Sequence, residues 1–96
     1  MRRMAKPVYV DLRCIYGPQE RRNIDISKPG VLDVAGVANG ELHSWFRGLE
    51  ARWYGLVSFP VMWASRNPSL GLTLVDQLVP AEALKPRRYN GGSYRR

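Results

Sequence analysis

One cysteine, Cys14, and one histidine, His43, are the whole supply of thiol and imidazole groups in this 96-residue chain. A lone cysteine excludes an internal disulfide framework, and the pair cannot complete a tetrahedral zinc site without help from scattered acids. No apolar run reaches the ~18–20 residues of a membrane span; the nearest, GLVSFPVMWA, is interrupted by Ser58 and Pro60. The opening MRRMAKPVYVD is basic but has no apolar stretch behind it, so no secretory signal is read there and the expected location is the cytoplasm. No stretch holds a helical apolar period over ~10 residues or more, which argues against helical bundles and α/β folds. No glycine-rich loop precedes a helix, and no serine lies in a nucleophile elbow. The acids Asp11, Asp25, Asp33, Glu41, Glu50, Asp76 and Glu82 show no paired-carboxylate spacing on one strand face. The expectation is a non-enzymatic protein without metal, cofactor or small-molecule substrate.

What is present is a balanced composition, 45% hydrophobic, in a length that suits one small domain. The net charge of +7 is unevenly placed. Arg2, Arg3 and Lys6 give the first six residues +3, and Lys85, Arg87, Arg88, Arg95 and Arg96 give residues 85–96 +5, with no acid in either stretch. Residues 7–84 hold seven basic against eight acidic residues, a net of −1. The reading is a basic N-terminal arm (1–6), a near-neutral domain (7–84) and a basic flexible C-terminal tail (85–96). Such arms attract phosphates without regard to sequence and in a salt-sensitive way; the same arms also serve solubility.

The chain alternates like a β-protein. KPVYVDLRCIYG reads as a half-buried strand with Val8, Val10, Leu12 and Cys14 on the inner side. Residues 18–30 read as a loop, with Ile24 and Ile26 pinning it to the core. Asn39-Gly40 between two β-compatible runs is the favoured pair for a type I′ turn, which would set Val34 opposite Trp45. A second hairpin at Leu49-Glu50 would set Arg47 against Arg52, Trp45 against Tyr54 and His43 against Leu56. RWYGLVSFPVMW reads as a long strand whose Pro60 demands an edge position or a bulge. ASRNPSLG reads as a loop, LTLVDQLV as a strand and PAEAL as one helical turn opened by Pro80. Five strands and two hairpins suggest an all-β fold, a small, partly open barrel of SH3-like or OB-like type.

These registers divide the aromatic residues. Val37, Leu42, Phe46, Trp53, Gly55, Val57 and Phe59 fall on the expected core face, with Gly55 leaving room for bulky rings. Trp45 and Tyr54, flanked by Arg47 and Arg52, fall on the other with Val34 and Leu56. Rings beside guanidiniums offer bases a stacking surface worth about 1–3 kcal/mol each. The same composition suits a protein partner, and cross-strand aromatic pairs also stabilise hairpins by ~0.2–1 kcal/mol with no ligand.

GELHSWFRGLEARWYGLVSFPVMW followed by DQLVPAEALKPRR resembles a group of small actinobacterial proteins over residues 40–87. The resemblance implies a soluble bacterial protein, with carriage on plasmid or phage DNA as one expectation, and it brings no catalytic residue or ligand. Two functional readings follow. In the first, Arg87, Arg88, Arg95 and Arg96 grip nucleic-acid phosphates while Trp45, Tyr54, Arg47 and Arg52 stack bases. In the second, Val34, Trp45, Tyr54 and Leu56 pack against a protein partner or another copy of the chain.

Overall fold

The computed structural model of the chain describes residues 5–18, 25–27, 30–65 and 71–87. Strand β1 (Lys6–Asp11) runs into a single helical turn, α1 (Leu12–Tyr16). Then come β2 (Leu32–Asp33), β3 (Val37–Arg47), β4 (Trp53–Trp63) and β5 (Gly71–Pro80), a 3-10 turn over Ala81–Ala83, and β6 (Leu84–Pro86). The six strands make one antiparallel sheet in the order β2-β4-β3-β1-β6, with β5 also on β4, and the sheet does not close. The all-β class and the open architecture are as expected, as is the turn that follows Pro80.

The long strands each change partners part-way. Residues 37–42 of β3 pair with β1, whereas residues 41–47 pair with β4. β4 has β5 along one side; on its other side β3 reaches as far as Ser58 and β2 takes up Met62 and Trp63. Pro60, which has no N–H to offer, falls in the gap between these two partners, and two residues before it a bulge interrupts the pairing of β4 with β5. Among the described strands β4 has only β5 beside it at Pro60, which pairs with Thr73 in register, so of the two expected solutions the fold uses a local edge.

Alternation along these strands builds the core. Val8 and Val10 of β1, Leu42 of β3, Val57, Phe59 and Val61 of β4 and Val79 of β5 point to one side, where Leu12, Ala38 and Ala83 complete the buried cluster. The sheet bends tightly around it, and two glycines permit this. A Cβ on Gly40 would lie 2.9 Å from both the Ser58 carbonyl oxygen and Val10 Cγ2. One on Gly55 would lie 2.7 Å from a Leu84 methyl and 2.8 Å from a Leu42 methyl, so the space at Gly55 serves two leucines rather than aromatic rings.

Several expectations are corrected. Asn39-Gly40 does not turn: both residues lie inside β3, paired with Tyr9 and Val8. Pairing with β1 over six positions outweighs the local preference of a dipeptide, and Gly40 answers a close crossing of chains instead. The expected first strand ends at Asp11, whose carboxylate accepts the Arg13 N–H at 3.1 Å and caps α1; Gly17, at φ 87°, ends that turn. Cys14 is therefore exposed, not buried. Strand β1 begins at Lys6, and β6 takes in Lys85 and Pro86. Ile24, most of the ASRNPSLG loop and the tail residues Arg88, Arg95 and Arg96 lie outside the described residues.

Candidate functional site

The hairpin joining β3 to β4 is real but turns differently from its expected form. Arg47 pairs with Trp53, leaving Gly48–Arg52 as a five-residue turn closed by Gly48 N–H to Arg52 O at 2.7 Å, with Ala51 in the left-handed region at φ 68°. Near the turn the pairs are Phe46 with Tyr54, Trp45 with Gly55 and Ser44 with Leu56. Beyond His43 they are Leu42 with Val57 and Glu41 with Ser58. The pairs Leu42–Val57 and Glu41–Ser58 follow the expected register, and those between His43 and the turn are displaced by one residue, with His43 as the extra residue of a β-bulge. Because side chains alternate with period two, one inserted residue moves every side chain beyond it to the opposite face.

Trp45 is thereby separated from Tyr54, contrary to the expected pairing. It shares a face with Gly55 and Trp53, while Phe46 and Tyr54 share the other. Nor are Phe46 and Trp53 core residues: Trp45, Phe46 and Trp53 are 42, 51 and 47% exposed. The hairpin extends past the buried cluster, so its aromatics have no apolar layer to enter. Trp45 and Trp53, with Ala81 of the 3-10 turn, line an apolar concavity of about 470 Å³. Trp53, the member of this site that strand alternation assigned to the interior, had no local signal to mark it as exposed.

The arginines divide in the same way. The Arg47 guanidinium stacks 5.1 Å from the Trp53 ring centre, and its Nε donates to the Ala51 carbonyl at 3.4 Å. Arg52 lies 5.7 Å from the Tyr54 ring centre and pairs with Glu82 at 2.5 Å. That partner, ahead of the smaller effects of Tyr54 and Glu50, raises the Arg52 pKa. The Glu82 carboxyl is held below its usual range by its own backbone N–H and then by Arg52. Arg87 is committed inside the fold. Its Nε donates to Val8 O at 3.3 Å, its Nη2 donates to Gly40 O at 3.1 Å and its backbone N–H donates to Pro7 O. A guanidinium so engaged staples β6 to β1 and β3. Val34 packs against the core rather than opposite Trp45.

His43 is half-buried, with Nε2 3.2 Å from Ser58 Oγ, which also accepts the Asp76 N–H at 3.1 Å. Asp76 lies in the bulge of β5, at φ 54°. Ser58 thus ties the bulge of β3 to that of β5, a structural use of the histidine. Among the described residues no three His, Cys, Asp or Glu side chains cluster as a metal site would require, and no helix is long and apolar enough to cross a membrane.

One relation is topological. β1 pairs with β6, Val8 opposite Pro86, so the points where residues 1–5 and 88–96 join the fold adjoin. Lys6 in turn pairs with Leu42, three strand residues from Trp45, or roughly 10 Å at the rise of a β-strand. Both basic stretches therefore attach close to the tryptophan concavity and to each other. Comparison with family models, curated proteins and solved structures finds no match for this chain.

Proposed function

We propose that the chain is a non-enzymatic binding module for single-stranded nucleic acid, with bases stacking on Trp45 and Trp53 and phosphates held by the basic ends. The observation that carries this reading is the pair of half-exposed tryptophans on one face of a hairpin, beside the junctions of two acid-free basic stretches. Stacking on aromatic rings contributes about 1–3 kcal/mol per base and is indifferent to base identity, so weak sequence preference is expected. Arg47 extends the Trp53 platform with a planar cation. Tyr54 and Arg52 lie on the opposite face and stand outside this site.

A second reading rests on the lining of the same concavity, which is almost wholly apolar: an aromatic or aliphatic side chain of a protein partner fills it. The two readings respond oppositely to salt. Titration of the full chain into labelled oligonucleotides by fluorescence anisotropy tests both. The nucleic-acid reading expects single strands to bind better than duplex and affinity to fall steeply between low and physiological salt. Exchanging Arg88, Arg95 and Arg96 for Gln should flatten that salt slope, while Trp45→Ala with Trp53→Ala should lower affinity about tenfold or more at fixed salt. No association at low salt sinks the nucleic-acid reading and leaves the protein partner.

A further inference from the structure

The opposite face of the hairpin carries a surface that the tryptophan site does not use. Strand register places Phe46, Tyr54 and Pro80 in one row across β3, β4 and β5, and Ser44, Leu56 and Leu78 in the next. Phe46 and Leu78 are 51 and 58% exposed, and Tyr54 and Leu56 are half-buried. Neither row contains a charged residue. Charges bound the two rows instead, the Arg52–Glu82 ion pair at one end and the acids Glu41 and Asp76 at the other. Arg52 lies beyond the first row, its guanidinium over the Tyr54 ring. Glu41 and Asp76 lie beyond the second, on either side of Ser58. β5 has no partner other than β4 among the described strands, but the bulge at Asp76 interrupts its free edge, so the face is better suited to association than the edge.

We infer that this face packs against the same face of a second copy of the chain, about a two-fold axis that lies between the sheets and runs across the strands, midway between the two rows. The charge layout selects this axis. A two-fold parallel to the strands would set Arg52 over Arg52 and the acids over the acids. A two-fold across the strands reverses the ends: the Phe46 row of each copy covers the Leu78 row of the other, and each Arg52 lies over the partner row that holds Glu41 and Asp76. The internal Arg52–Glu82 pair, 51 and 58% exposed, is of the weak surface kind and leaves Arg52 able to reach across. An uncharged centre flanked by complementary ends is self-matching, and a different protein would have no need of that symmetry.

Sedimentation equilibrium of the full chain from micromolar to about 1 mM tests this, because that span covers weak dimers. The inference expects a reversible dimer that persists in high salt. Leu78→Asp or Phe46→Asp, both at exposed positions, should raise the dissociation constant about thirty-fold or more, the size expected for a residue at an interface centre. Arg52→Glu should weaken the dimer, and adding Glu41→Arg should restore it in part. Trp45→Ala should leave it intact, which separates this face from the tryptophan site. Circular dichroism checks that each variant keeps the sheet. A chain monomeric throughout overturns the inference and frees the face for another partner. A dimer indifferent to both Leu78→Asp and Phe46→Asp overturns it as well, as does one abolished by Trp45→Ala.

Discussion

Gly40 and Glu82 show how single residues answer to surroundings that their neighbours in sequence do not reveal. At Gly40 the backbone itself blocks a side chain: a Cβ would meet a carbonyl oxygen that cannot swing aside. Gly40→Ala should therefore destabilise the fold by about 1–3 kcal/mol, in the range of other overpacking substitutions. Gly36, with nothing within 4 Å of its Cβ position, is the matched control, and Gly36→Ala should change the urea midpoint little. Glu82 makes a prediction in pH. Because its carboxyl is depressed in the folded state, its contribution is present above the unfolded glutamate value of about 4.3 and is lost as pH falls through the lower folded value. Carbon-detected NMR titration should give Glu82 a midpoint below that value. Arg52→Ala should move the midpoint upward but not all the way, since the backbone N–H of Glu82 remains.

At the scale of strands, the two bulges decide which residues face which way, and both converge on Ser58. Ser58→Ala removes the acceptor for the Asp76 N–H and the contact of His43. A loss of about 1–2 kcal/mol is expected, with amide exchange quickening around residues 43 and 76 ahead of the rest of the sheet. The strands themselves were legible in the chain. RWYGLVSFPVMW and LTLVDQLV are strands in the fold, and the turn after Pro80 is where its proline suggests. Which strands pair was less legible. Asn39-Gly40 has the chemistry of a turn, yet pairing with a strand 30 residues earlier absorbs it. The site was half legible for a related reason. Trp45 and Arg47 were singled out as a candidate surface, but counting by twos cannot register an inserted residue, so they were set on the face of Tyr54 and not on that of Trp53. Even the turn offered no clue, because its left-handed position falls on Ala51 and not on the nearby Gly48.

For the whole molecule, the pairing of β1 with β6 and the Arg87 staple matter most. Arg87→Ala removes two side-chain hydrogen bonds from a cation and should cost about 1.5–3 kcal/mol in chemical denaturation, whereas Arg87→Lys, lacking the planar fork, should restore only part. A binding role for Arg87 alone would leave stability unchanged. The same closure has a consequence during synthesis. Of the described strands β1 is made first and β6 last, with some 70 residues between them. While the ribosome is still working through that interval, β1 has β3 available on one side and nothing on the other. A chain that stalls or is cut before Leu84 is thus left with a bare sheet edge beside an uncovered Gly55, open to any extended segment nearby, and the last three strand residues are what seal it.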